Sequence, residues 1–299
     1  MQFDLPANSN DILRNASLPF MIEKSGIRGR FVRINEEVHK ILSDHKYPLR
    51  VSQLLGELLV LVSMVGTMMK LKGIISIQAQ GNGAISFVSA DYTSDGHLRG
   101  YTHVNDKKTM RDIEATGRKE QDITELFGNG NVMITIDNKG ERAYQAIVPL
   151  TGKSLSGCIV EYFRQSDQLD VVMEVTANKI NKTWHAGGIV LQRIAQEGGR
   201  KPSNRNEDDF ERASILLDSV TDKELIDDNL PMPTLLYRLF HEDGVRIFDP
   251  SKLEARCRCS RERMEMALDM MPEYEREKMK VKGVITITCR FCNKKEKFK

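Results

Sequence analysis

The sequence predicts an α+β fold: an antiparallel-sheet core domain with packed helices, a helical linker, and a small C-terminal four-cysteine zinc domain. Three observations predict it. Residues 34–72 repeat apolar side chains at helical spacing, residues 74–148 alternate with the period of strands, and four of the five cysteines fall in the last 43 residues. The 299 residues carry 44 Lys and Arg against 42 Asp and Glu, with 40% hydrophobic residues. That balance excludes wholesale disorder and gives no default polyanionic partner.

The helical stretch breaks at Pro48, and its second half places Leu54, Leu55, Leu58, Leu59, Val62, Val65 and Met69 on a helix. The run Leu58–Met69 holds twelve uncharged residues, short of the roughly 20 that a spanning helix takes. A buried helix and no membrane partner are expected. Met1–Asn10 has an acid where a signal peptide has bases, with no apolar block after it, so the expected location is cytoplasmic.

Strand periodicity begins at Ile74–Ala79 and Ala84–Ala90, joined by Gly81-Asn82-Gly83, and continues in Leu98–His103, Asn131–Ile136 and Arg142–Val148. Ser154–Gln165 reads as a helix with Leu155, Cys158, Ile159, Tyr162 and Phe163 on one face, so Cys158 is expected in the core. Val171–Ala177 and Trp184–Val190 form a further strand pair. Strands and helices segregated in this way imply an α+β core domain, residues 1–190.

Residues 191–249 read as a helical, metastable linker. Glu197–Asn229 holds ten acids against five bases, with Gly198, Gly199 and Pro202, yet Phe210, Ala213, Ile215, Leu216 and Leu217 supply apolar surface for docking. Leu235–Phe240 is one more short helix. Residues 250–299 hold 14 bases and eight acids, a sign difference that suggests docking between linker and tail. Met264, Met266, Met270, Met271 and Met279 in this tail are expected to fill its core.

The tail carries the strongest chemical signal: Cys257-Arg-Cys259, then 29 residues, then Cys289-Arg-Phe-Cys292. Two close pairs supply four thiolates for a closed tetrahedral zinc site, which leaves no open position for a catalytic water. Cys-x-Cys matches neither common iron–sulfur spacing. Arg256, Arg258, Arg261 and Arg290 lie beside the cysteines and are expected to favour thiolates, and thiolates oxidise readily. Four cysteines permit three disulfide pairings, and spacing does not choose among them.

No catalytic residues emerge, and the chain reads as a non-enzyme. Thr151-Gly-Lys-Ser154 lacks the upstream glycine of a phosphate-binding loop, having Ile147 there, and Pro149 interrupts it. The six histidines, His39, His45, His97, His103, His185 and His241, form no ligand pattern and are expected in exposed helices or loops. The alternative reading is a nucleic-acid-binding zinc ribbon, motivated by the basic tail. Against it stand the tail's interspersed acids and the want of a recognition helix. A thiol oxidoreductase using Cys289 and Cys292 lacks the helix that follows a thioredoxin-type site.

Cys257-Arg-Cys-Ser-Arg-Glu-Arg263 and Cys289-Arg-Phe-Cys-Asn293 resemble the zinc motif of the redox-regulated chaperones of the heat shock protein 33 family. Ile27–Arg30, Leu54–Glu57, Ala90–Gly96, Tyr162–Ser166 with Gln168 and Leu169, Ala186–Gln192 and Leu236–Glu242 resemble its other blocks in order. The resemblance implies an ATP-independent holding chaperone. One Zn2+ would be held by Cys257, Cys259, Cys289 and Cys292 in the reduced, inactive form. It further implies oxidation to disulfides Cys257–Cys259 and Cys289–Cys292, loss of zinc, unfolding of tail and linker, and homodimerisation. The implied partners are unfolded or aggregation-prone clients, later passed to nucleotide-driven chaperones, with no nucleic acid. Thr286 and Glu296 depart from the family pattern and bear on how tightly the last hairpin packs.

Overall fold

The structure is a computed structural model that describes residues 13–69, 71–105, 122–166, 169–193 and 204–299, with the backbone alone for 204–207. Met1–Asn10, Gln168 and the linker residues Gly198, Gly199 and Pro202 lie outside the described residues. The chain opens with a hairpin, β1 (Asn15–Ile22) and β2 (Ile27–Ile34), then α1 (Asn35–Ser43) and α2 (Leu49–Met68). A meander follows: β3 (Gly73–Gly81), β4 (Ile85–Thr93), β5 (His97–Val104), the short α3 (Ile123–Phe127), β6 (Gly130–Asn138) and β7 (Tyr144–Pro149). Next come α4 (Leu155–Ser166) and the hairpin β8 (Val171–Ile180) and β9 (Thr183–Gln192).

The strand–helix segregation builds two sheets around one helix. α2 packs on β2, β8 and β9 of the first sheet and on β3, β4 and β5 of the second. Sandwiched in this way, Val60, Leu61 and Val62 are all fully buried although they point in different directions. α2 has the 20 residues and apolar composition that would suit a membrane span, but 78% of its most apolar stretch is buried within the fold. Its approach to the second sheet requires Gly66, where a Cβ would lie 2.2 Å from the Tyr92 ring.

Sequence periodicity does not announce the β1–β2 hairpin. Its side chains are buried on both faces, Val32 and Ile34 against α2 and Leu18, Phe20 and Phe31 on the opposite side. The polar–apolar alternation of a half-buried strand is therefore missing, and Pro19, Arg28, Arg30 and Arg33 interrupt the apolar run.

That opposite side of the first sheet is covered by α5 (Asn204–Asp218), α6 (Asp222–Ile226) and α7 (Met232–Phe240). Phe210, Ala213, Leu217, Leu225, Ile226, Leu235, Leu236 and Phe240 pack there on Leu18, Phe20, Phe31, Ile189 and Leu191. Ile215 instead faces solvent at 62% exposure. α6 lies so close to β9 that a Cβ on Gly187 would sit 2.6 Å from the Leu225 carbonyl oxygen. The Arg33 side chain, 3% exposed, grips the same segment. Its Nε donates to Leu225 O (3.0 Å), Nη1 to Leu230 O (2.8 Å) and Nη2 to Glu224 O (3.2 Å). Asn35 Nδ2 adds bonds to Ile226 O (3.2 Å) and Asp228 Oδ1 (2.7 Å). These groups satisfy the carbonyls that a short helix leaves open at its C-terminus.

After α7 the chain crosses both sheets. β10 (Val245–Ile247) and β11 (Ser251–Lys252) pair antiparallel with β1, and β12 (Glu254–Ala255) pairs parallel with β5. The first sheet runs β10-β1-β2-β9-β8 with β11 also on β1, and the second β12-β5-β4-β3-β6-β7. The tail holds α8 (Arg261–Asp269), α9 (Glu273–Met279) and the hairpin β13 (Ile285–Thr288) and β14 (Lys295–Phe298). Its own buried cluster is Met264, Leu268, Ile285 and Phe298. Met264 and Met271 pack in this cluster as expected, but Met266, Met270 and Met279 are 56%, 82% and 40% exposed, which corrects the core-filling expectation for those three. Helices as short as α8 and α9 present too little buried face to cover them.

Candidate metal centre

Cys257 and Cys259 follow directly on β12, so the first cysteine pair is tethered to the edge of the second sheet. Cys289 and Cys292 form the turn of the β13–β14 hairpin. Asn293 N–H donates to Cys289 O (2.8 Å), Cys289 N–H donates to Lys294 O (2.9 Å), and Asn293 takes a φ of 54°, the left-handed conformation that Asn tolerates. The two pairs meet. All four Sγ atoms lie within 4.8 Å of one another, with Cys257 and Cys289 at 3.7 Å and Cys259 and Cys292 at 3.4 Å.

These separations fit a metal. Thiolates placed tetrahedrally at about 2.3 Å from a centre are about 3.8 Å apart, whereas a disulfide bond is about 2.05 Å. All four cysteines are free thiols. Burial and the neighbouring sulfurs push the Cys259 thiol well up, and burial pushes Cys292 up. Burial also acts on Cys289, but the amides of Cys292 and Phe291 outweigh it and hold that thiol below its ordinary value. Four thiolates at this spacing repel one another, so the donor set calls for a cation.

The arginine expectation needs correction for Arg258 and Arg261. Arg258 is turned away to Asp91 (2.6 Å), and Arg261 pairs with Glu296 (3.2 Å) with its guanidinium 4.6 Å from the Phe298 ring centre. Carboxylates take up these charges, and the amides of the hairpin turn act on Cys289 instead. Glu296 also binds Lys294 (2.9 Å), so one departure from the family pattern ties the hairpin to α8. The other, Thr286, stands exposed on β13 opposite Lys297.

Both cysteine loops seat on the second sheet. Asp91, 3% exposed, accepts from Ser76 Oγ at Oδ1 (2.7 Å), and at Oδ2 from Arg99 (2.7 Å) and Arg258 (2.6 Å). The Arg99 guanidinium lies 3.9 Å from the centre of the Phe291 ring, which meets Tyr101 edge-on at 4.7 Å. His45 Nε2 lies 3.1 Å from Phe291 O, and Asn293 Nδ2 donates to His45 Nδ1 (3.2 Å) and to Asp44 O. Those partners assign the proton of His45 to Nε2.

Comparison with known proteins now decides the family. The family model described as Hsp33 protein matches residues 15–299. The chain belongs to the Hsp33 family. The 33 kDa chaperonin of Caulobacter vibrioides is 34% identical over 294 residues, covering 96% of each chain. That of Escherichia coli is 32% identical over 275 residues, covering 91% of this chain and 88% of the relative. The fold is shared with the 33 kDa chaperonin (heat shock protein 33 homolog) of Thermotoga maritima, with a TM-score of 0.80, 20% identity and coverage of 95% and 94%.

Within this Hsp33 chain the fifth cysteine, Cys158, is buried on α4 as expected, its Sγ donating to Thr151 O (3.4 Å), and burial pushes its thiol up. His39, His45 and His185 depart from expectation, while His241 is exposed in a short helical turn as expected. His45 seats the second cysteine loop, His39 Nδ1 accepts from Trp184 N–H (3.3 Å), and His185 is 9% exposed beside Asp228 (3.6 Å). Sequence reasoning missed Asp91, Arg99, Tyr101 and His45 as functional neighbours of the cysteines. In the sequence Ala90–Gly96 stands out only as a block of family resemblance and Leu98–His103 only as a strand, and pairing with residues more than 160 positions away leaves no local pattern.

Proposed function

We propose that this Hsp33 protein is a redox-regulated, ATP-independent holding chaperone that binds unfolding client proteins without catalysing a reaction. One observation carries the reading: a four-thiol centre, in a tail with almost no core of its own, sits next in sequence to helices that cover an apolar sheet face. Zinc bound by Cys257, Cys259, Cys289 and Cys292 would supply cross-links worth about 10–16 kcal/mol of folding free energy. Only four apolar side chains, Met264, Leu268, Ile285 and Phe298, are buried in the tail's own cluster, too few for a self-sufficient core.

Oxidation removes the ligands. With a peroxide, one thiolate attacks the O–O bond, giving a sulfenic acid and hydroxide; a second thiolate displaces hydroxide from sulfur and closes the disulfide. The proposed products are Cys257–Cys259 and Cys289–Cys292. These are the pairs that the family resemblance implies; bonds within each pair would leave the tail free to unfold, whereas a bond between Cys257 and Cys289, 32 positions apart, would staple it folded. Loss of the tail then releases α5, α6 and α7, uncovering Phe20, Phe31 and Leu191 for clients or for a second copy of the chain. A cytoplasmic location, where thiols are kept reduced until stress, and hand-off of clients to nucleotide-driven chaperones complete the reading.

The test is light scattering from a chemically unfolded client diluted without nucleotide, with reduced zinc-loaded protein and peroxide-treated protein in parallel. Suppression by the oxidised form alone, reversed by thiol and zinc, is the expected result. Equal behaviour of the two forms would reduce the cysteines to a structural metal site.

A further inference from the structure

The outer face of the second sheet, away from α2, is organised in rows. Cross-strand register aligns Tyr101, Ser89, Gln78, Met133 and Ile147 from β5 to β7, a row without a charge. Phe87 stands beside Tyr101, their ring centres 5.3 Å apart, and Ile147 is 63% exposed. The adjoining row begins with the Arg99–Asp91 pair. The tail seats on the corner where these rows begin. It does so with Arg258 on Asp91, Phe291 on Arg99 and Tyr101, and Asn293 on His45 Nδ1, while His45 Nε2 meets the Phe291 main-chain carbonyl.

We propose that this corner, Asp91, Arg99, Tyr101 and His45, is a polypeptide-binding surface that the chain's own tail fills while the metal centre is assembled. Its partner is an unfolded polypeptide segment presenting an aromatic ring next to a basic side chain. The features it recognises are a cation, an aromatic face and a main-chain carbonyl; the ring and the carbonyl are what unfolded chains expose and folded ones mostly bury. The seat survives the tail's departure, because Asp91 keeps Ser76 and Arg99 as partners and no buried charge is orphaned. The uncharged row from Tyr101 to Ile147 then extends it, with Met133 and Ile147 as its apolar members at the far end. Tail and client thus compete for one site, and metal binding favours the tail by holding Arg258 and Phe291 side by side.

This inference rests on the chaperone reading, and the experiment separates the two. The probe is fluorescein-labelled, reduced and carboxymethylated α-lactalbumin, a permanently unfolded chain, read by anisotropy against the full-length protein. Oxidised Tyr101→Ala should bind it about fivefold to tenfold more weakly than oxidised parent, the weight of a lost aromatic contact. Reduced Phe291→Ala should gain binding while retaining its metal, measured by mass spectrometry. A photo-crosslinking residue at position 101 covers the case in which Tyr101→Ala misfolds: it should label the chain's own 286–296 segment when reduced and the probe when oxidised. If oxidised parent binds no probe, the chaperone reading itself fails. If oxidised parent binds and oxidised Tyr101→Ala binds equally well, or position 101 still labels only the tail after oxidation, the client surface lies elsewhere.

Discussion

Arg33→Met should loosen the linker helices without oxidant. Arg33 donates to three backbone carbonyls of residues 224–230, and hydrogen bonds to a charged group are worth about 1.5–3 kcal/mol each. The gross loss is then about 4.5–9 kcal/mol. Burial of the guanidinium, which lowers its pKa to about 10, costs about 3 kcal/mol and is recovered on substitution. A net loss of about 3 kcal/mol remains, enough to speed local opening about a hundredfold. The assay is hydrogen exchange of amides 222–230 in reduced, metal-loaded protein, with Arg33→Lys as a control that keeps the charge but not the fork of donors. Amides 222–230 should accelerate about a hundredfold and those of β3 and β6 should not. Exchange within about threefold of the parent, or equal acceleration of β3 and β6, would refute the assignment of Arg33 as the anchor of this segment.

Glu174→Gln should act in the opposite direction. Burial, with Asp218 and Asp222 nearby, holds the Glu174 carboxyl above its ordinary pKa. A carboxyl whose folded pKa is raised contributes stability below its unfolded pKa that is lost as pH rises through the folded one, so the neutral amide should raise the urea midpoint at about pH 7 and leave it unchanged at about pH 4. Chelation of the metal under reducing conditions should make residues 257–299 protease-sensitive while a fragment holding both sheets persists; resistance of the tail would mean that its four-residue cluster is a sufficient core. Cys158→Ala should leave metal content unchanged and cost about 1–2 kcal/mol of core stability in chemical denaturation, as expected of a thiol buried on α4.

Local chemistry determined a large part of this protein. Helical spacing from Val51 to Met69 found α2, strand alternation found β3 to β9, and the four cysteines met as their two tight pairs suggested, because each signal is written within a few residues. What tertiary structure decided is everything that depends on two faces or on distant partners. β1 and β2 are buried on both sides and so lack a strand's alternation, and β10 to β12 are too short to carry a period at all. Arg33 reads as an ordinary surface base until α6 closes over it, and the arginines beside the cysteines read as thiolate partners until Asp91 and Glu296 claim Arg258 and Arg261. A side chain's charge is fixed by its type, but which group neutralises it is fixed only when the chain brings distant residues into contact.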